Sequence, residues 1–308
     1  MKTDAVYVPS MFLIAETEMT IDLTALDMIP RSFLTTYKDM LRKGDLDLPL
    51  LPEVASQILQ MAAADSGNAT AFSDLIHRDQ ALAGQVLRVA NSSTFARRGN
   101  IVSLKQAVTR LGLDLLSDIA MTSILGTSVF QVSTFKPMVR YTWRHALAAG
   151  TFSKEIARNI RRNVESSFLC GLLHSIGKPL ALNAIQNLEQ TAGVNLDRHA
   201  TIALVESTHQ QAGEQVALKW RLPPAIRVAI GHYKDYSSAT EFRNEATITY
   251  LACRFADLLL NPEAHDEAEI REDPVHAELN LYPDDVSKLL DMRERILVVV
   301  DSLDAGAV

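Results

Sequence analysis

Cysteine is scarce in this 308-residue chain. Only Cys170 and Cys253 occur, too few for a disulfide framework and in keeping with a reducing compartment. Aromatic residues make up 6%, which leaves little for stacking along single-stranded nucleic acid. Positive charge is short as well: 30 basic residues stand against 37 acidic ones, a net charge of −7. A general electrostatic grip on nucleic acid or an anionic membrane needs the opposite sign, so neither is expected as a partner. Long apolar runs are also missing. Ile119–Phe135 is uncharged but carries six Ser or Thr residues and Gln131, and it falls short of the about 20 apolar residues of a spanning helix. The apolar patch Ala5–Ala15 follows Asp4, contains Pro9 and precedes Glu16, so no signal peptide is predicted and the cytoplasm is the expected location. What is present is 47% hydrophobic and 22% charged. That is ordinary globular composition, enough for one large domain or two ordinary ones.

Helical periodicity dominates. Ala5–Ala15 alone has a weak look of a strand, and Thr20–Asp27 reads as a polar connector. Pro30–Lys43 reads as a helix, with Arg42 and Lys43 in its last turn and Gly44 after it. Further helices are predicted around Val54–Ala62, Phe72–His77 and Ala81–Ala90, the second of these ending where Arg78-Asp79-Gln80 intervenes. Asn91–Asn100 reads as a loop in which Asn91 and Ser92 cap a helix end and bridge two lobes. Ser103 stands three residues before Gln106, a capping-box spacing, and the helix it opens stops at Gly112; Asp114–Phe130 follows as a buried helix. A second block begins near Lys136. Its first helix aligns His145, Ala149, Phe152, Ile156 and Ile160 on one face. Phe168–His174, Ala200–Leu218, Pro223–Ile230 and Glu245–Leu260 are the later helices, with a polar loop at 234–244. Residues 261–283 are acidic and irregular, and Val286–Leu303 carries a final amphipathic stripe. The expectation is an all-α chain with two helical lobes.

Four histidines, His145, His174, His209 and His232, fall on successive helices of the second lobe. A single histidine on an apolar face is most often a satisfied core residue. Four on one lobe suggest a shared cleft of the kind helical bundles use for metals. The run Gly171-Leu172-Leu173-His174-Ser175-Ile176-Gly177-Lys178 resembles the GLLHDIGK signature of the HD-superfamily metal phosphohydrolases, with Ser175 where that family has Asp. Other segments, in order, resemble the HDOD family, the HD-related output domain of bacterial signalling proteins. They are LPLLPEV at 48–54, Asp74–Ile76 with Asp79–Leu82, Leu87–Ser92, Ser103-Leu104 with Ala107-Val108 and Leu111-Gly112, Trp143–His145, Glu206 with His209, Trp220–Pro223, and Gly231-His232. The likeness spans residues 45–260. It implies a helical bundle over 45–135 and an HD-like lobe over 136–260, with extensions at 1–44 and 261–308.

An HD phosphohydrolase holds divalent ions with histidine nitrogens and carboxylate oxygens, and the ions activate a water and clamp the phosphate. Ser175 offers only a neutral hydroxyl. The late Asp that the resemblance implies falls at Cys253, or at Asp257 one turn on. The resemblance therefore implies a vestigial cleft of His145, His174, Ser175, Lys178, Glu206, His209, His232 and Cys253. It implies no cofactor and a non-catalytic regulatory role through a signalling protein partner, with a small ligand as the other occupant. The alternative is a metal-dependent phosphohydrolase acting on a nucleotide or cyclic dinucleotide. A softer metal site could draw only on His145, His174 and Cys253. The bland readings stand beside these. Lys178 reads as a solvated lysine after Gly177, Glu206 and His209 as a local hydrogen-bonded pair, Trp220 as a core anchor, and Cys170 as a buried neighbour of Leu169 and Leu172. Arg140, Arg144, Arg158, Arg161 and Arg162 read as a solvated or partner-facing strip.

Overall fold

Residues 12–14, 17–19, 23–47, 50–63, 69–92, 94–95, 101–130, 132 and 134–307 are described by the computed structural model. They are overwhelmingly helical, as expected. A short ribbon precedes the helices, in which β1 (Phe12–Ile14) pairs antiparallel with β2 (Thr17–Met19). It meets only the end of the strand expected at Ala5–Ala15, and the earlier residues of that stretch lie outside the described ones. The predicted connector at 20–27 contains a 3-10 helix, Leu23–Met28.

Local punctuation places most of the helices. α1 (Arg31–Lys43) follows Pro30 and stops at Gly44, whose left-handed φ of 69° lets its N–H turn back to the Leu41 carbonyl. α2 (Glu53–Ala63), α3 (Ala69–His77) and α4 (Gln80–Ala90) follow, the last capped by the Asp79 carboxylate. α5 (Leu104–Leu111) starts where Ser103 Oγ accepts the Gln106 N–H at 3.2 Å. The reciprocal half of the expected box is displaced by one residue, since Gln106 Oε1 accepts from the Val102 N–H. Asn91 ties the loop to itself rather than bridging lobes. Its side chain accepts from the Ile101 N–H and donates to the Leu87 and Ile101 carbonyls. α6 (Leu113–Ser128) ends the first group.

The second group is α7 (Lys136–Asn159), α8 (Val164–Leu173), α9 (Gly177–Ala192), α10 (Arg198–Lys219), α11 (Pro224–His232) and α12 (Arg243–Leu260). α9 was not anticipated; it starts at a Gly-Lys-Pro run, and Pro179 is tolerated because the first turn needs no intrahelical N–H. The predicted loop at 234–244 begins as a 3-10 helix, Tyr233–Ser238. The acidic stretch folds into α13 (Glu267–Arg271) and α14 (Val275–Glu278), and the final stripe into two helices, α15 (Pro283–Asp291) and α16 (Arg293–Ala307).

α7 packs on both α8 and α12, and α9 packs on α10. Two glycines allow these crossings. A Cβ on Gly171 would sit 2.5 Å from the Ala149 carbonyl oxygen, and one on Gly177 would overlap the His209 carbonyl and lie 2.6 Å from the Gly213 nitrogen. The predicted stripe on α7 is internal: Ala149, Phe152 and Ile156 are fully buried. Trp220 and Cys170 are core residues, and neither cysteine is in a disulfide. Val164–Ala192 has the length and hydropathy of a membrane span, but 94% of its most apolar window is buried inside the protein, so it is a core hairpin.

The flanking segments dock on this frame. α1 lies against α9 and α10, with Tyr37 Oη 3.1 Å from Thr208 Oγ1. α16 lies against α4, α6 and α7 and so touches both groups. The arginine strip is therefore not simply solvated. Arg140 and Arg144 both donate to Asp304 and Arg144 also to Asp301 (2.7 Å), while Arg158 pairs with Glu155. Between the groups, Lys154 of α7 ion-pairs with buried Asp118 of α6.

Candidate functional site

The second group converges its polar side chains on one interior cleft. His145 points from α7, His174 caps the C-terminus of α8, Lys178 sits in the first turn of α9, Glu206 and His209 lie on α10, and Cys253 and Asp257 on α12. Gly171 and Gly177 make the gathering geometrically feasible, because they let α8 approach α7 and α9 approach α10 at backbone distance on either side of His174.

Each histidine is oriented by a named partner. His174 Nδ1–H donates to the Gly171 carbonyl at 2.6 Å, which leaves its lone pair on Nε2. His209 Nδ1–H donates to the Glu206 carbonyl at 3.0 Å, so its Nε2 accepts from the Tyr233 hydroxyl at 3.0 Å. His145 hydrogen-bonds the Cys253 backbone, and its Nε2 lies 3.0 Å from Asp257 Oδ1. The rings of His145 and His174 are 5.2 Å apart, and Tyr233 meets His174 edge-on at 4.8 Å. His145, His174 and Cys253 each bring a ligand atom within 4.8 Å of the others.

Burial sets the charges. It holds His174 down at about 3 and His145 and His209 well below the usual imidazole range, so all three are neutral at pH 7. It pushes Asp257 well above the usual carboxylate range, with its Oδ1 against His145 Nε2. It pushes the Cys253 thiol up, against a smaller opposing effect of Lys178 and Lys234. Glu206 behaves oppositely. Burial alone would raise it, but Lys178 and Lys234 outweigh burial and hold it at about 2. Lys178 Nζ stands 2.5 Å from Glu206 Oε1 and Lys234 Nζ 3.5 Å from Oε2. The side chains of the three are only 8%, 12% and 3% exposed.

Several expectations change here. Lys178 is not a solvated lysine: the α9–α10 approach carries it inside. Glu206 and His209 are neighbours through a backbone carbonyl, while the Glu206 carboxylate belongs to the lysines. Ser175 is buried, and its hydroxyl has no hydrogen-bond partner among the described residues. His232 stands apart from the cluster, donating from Nδ1 to Ser238 Oγ at 2.8 Å and facing Glu214. Tyr233 and Lys234 were missed. The one available signal was their adjacency to His232, in a segment that reads as polar loop.

The donors do not fit a pair of hard divalent ions. Such ions need carboxylate oxygens, and here Ser175 stands where the signature has an acid, Asp257 Oδ1 is engaged by His145 Nε2 at 3.0 Å, and Glu206 is taken by Lys178 and Lys234. The two-nitrogen, one-sulfur cluster has the chemistry of a softer site, with its sulfur held as a thiol by burial.

The family model for the HDOD domain matches residues 48–236. A curated protein of Treponema pallidum (strain Nichols), described as uncharacterized, is 27% identical over 222 residues. That match covers 65% of this chain and 42% of the relative, so this chain spans less than half of that protein's length. Among solved structures, an HDOD domain protein of unknown function from Geobacter sulfurreducens superposes with a TM-score of 0.69 at 20% identity, covering 88% of this chain and 99% of that one. A protein named as a candidate signal transduction protein, from Marinobacter aquaeolei VT8, gives 0.67 at 22% identity over 93% of this chain and 67% of its own. A protein named as a candidate phosphohydrolase, from Shewanella amazonensis SB2B, gives 0.62 at 21% identity, covering 90% and 99%. These likenesses carry the fold. The matched stretch holds every cleft residue except those of α12, Cys253 and Asp257. With the HDOD model spanning more than half of the chain, the protein belongs to the HDOD domain family.

Proposed function

We propose that this protein is a non-catalytic regulatory module that acts in the cytoplasm by binding a signalling protein, with a small ligand as the second class of occupant. The carrying observation is the double lysine clamp on Glu206. It engages the Glu206 carboxylate with internal cations. Ser175 in place of an acid and the engagement of Asp257 by His145 support the same reading. The signalling name of the Marinobacter relative agrees with it. Nucleic acid and membranes are not proposed partners, given the net charge of −7.

The test is an assay of the full chain with Mg²⁺ or Mn²⁺ against nucleotides and cyclic dinucleotides. No turnover is expected. Hydrolysis that disappears in His174→Ala would overturn the proposal. The second reading, a phosphohydrolase with an altered site, draws on the His145–His174–Cys253 cluster. Elemental analysis after growth in metal-replete medium decides that one: a stoichiometric metal that His174→Ala abolishes would favour it.

A further inference from the structure

Away from the cleft, the ends of four helices enclose a separate cavity of about 180 Å³. Its walls are mostly polar. They come from Asn159 and Arg162 at the end of α7, Asn244 at the start of α12, Glu278 and Asn280 at the end of α14, and Asp285 in the first turn of α15. Two of these helices stop in the same way. Arg161 and Asn280 hold left-handed φ angles of 58° and 53°, and the next N–H groups, of Arg162 and Leu281, turn back to the Ala157 and His276 carbonyls. The loops thus satisfy these backbone groups without help from the side chains. Asp285 is occupied as well, by the Tyr282 N–H and the Lys288 ammonium. The other polar groups are left over. Asn159 spends its amide N–H on the Glu155 carbonyl, which leaves Oδ1. Glu278 gives Oε2 to Arg243 at 2.8 Å, which leaves Oε1. Among the described residues, the side chains of Arg162, Asn244 and Asn280 make no hydrogen bond or ion pair.

We propose that this pocket binds a free α-amino acid with a short polar side chain. The unpaired Arg162 guanidinium supplies a fork of N–H donors for the ligand's carboxylate. The spare oxygens of Glu278 and Asn159 supply acceptors for its ammonium. The carboxamides of Asn244 and Asn280 donate and accept at once, which suits a polar side chain. The size agrees: an apolar cavity of about 150 Å³ takes benzene, so this one takes a molecule of asparagine's size and is too small for a nucleotide. Two of its walls belong to α7 and α12, the helices that carry His145 and Asp257. An occupant here therefore acts on two elements that frame the cleft. The inference goes beyond the regulatory reading and stands without it, because the pocket shares no residue with the cleft.

The experiment titrates the full chain with L-asparagine, L-serine and L-glutamine in turn, read by calorimetry. L-asparagine is expected to bind at a single site with a Kd of about 0.1–1 mM, as befits so few atoms in an open pocket. Arg162→Met and Glu278→Gln should each weaken it by ~10-fold or more. Both side chains are exposed, and the Arg243–Glu278 pair lies at the surface, so both variants should melt within ~2 °C of wild type. Succinamate, which lacks the ammonium, and asparagine methyl ester, which lacks the carboxylate charge, should also bind ~10-fold more weakly or worse. Absence of binding by all three amino acids up to ~10 mM overturns the proposal. So does binding that Arg162→Met leaves unchanged, or succinamate binding as tightly as L-asparagine.

Discussion

Asp118 carries the cleanest pH signature. Burial raises its carboxyl to about 6, against the opposing pull of Lys154, while Glu165 and Asp114 add to the rise. A carboxyl held above its unfolded value binds protons more tightly in the native state. Its contribution is therefore fully present at low pH and is lost as pH climbs from about 4 through about 6. The two values differ by enough for about 3 kcal/mol at most. Asp118→Asn removes this dependence, so between pH 4 and pH 7 the variant should gain ~2–3 kcal/mol relative to wild type, measured by urea unfolding at both values. At this scale the sequence was half legible. His145, His174 and Glu206 were found from spacing and motif order. Lys178 stood in the implied cleft but read as solvated, and Lys234 was absent from it, because periodicity cannot tell a snorkelling lysine from a buried one, and their environment is created only when α9, α10 and the 3-10 turn meet.

Among the elements, the α9–α10 crossing controls the cleft. Gly177 sits where any side chain would overlap the His209 carbonyl, and the next residue is Lys178. Gly177→Ala must push the helices apart at backbone atoms, which cannot rotate aside. A loss of about 2–3 kcal/mol is expected, together with loosening of the Lys178–Glu206 pair. Hydrogen exchange of the α9 and α10 amides should rise together, whereas Gly193→Ala, with nothing near its Cβ position but a φ of 64°, should act only on the α9 terminus. Helix boundaries set by caps and glycines were read well: Ser103, Gly44 and Gly112 all stand at real ends. α9 itself escaped because Gly, Lys and Pro at its start look like a breaker. Only the finished packing shows that they open a helix.

For the whole molecule, the decisive feature is α16, which spans both groups of helices. Asp304 is 5% exposed and takes Arg140 and Arg144 together. Asp304→Ala leaves Arg144 without its buried counter-charge. Because Arg140 is 66% exposed, its share is discounted for solvent screening, and a net loss of about 1–3 kcal/mol is expected. The sensitive readout is limited proteolysis, with cleavage within Arg293–Ala307 appearing before cleavage elsewhere. The all-helical plan was legible from periodicity. The pairing of Arg140 and Arg144 was not, because their partners lie about 160 residues away and no local pattern pairs them.

The buried hairpin Val164–Ala192 has one consequence for how the protein is made. Its inner face is covered on one side by α7, which precedes it, and on the other by α10 to α12, which follow. During synthesis the covering helices are still being added for roughly 3–14 s after the hairpin is complete, at about 5–20 residues per second. For that interval the ribosome displays a stretch greasy enough to be mistaken for a membrane anchor. A nascent chain of this protein must be shielded there, and slowing translation beyond residue 192 lengthens the exposure.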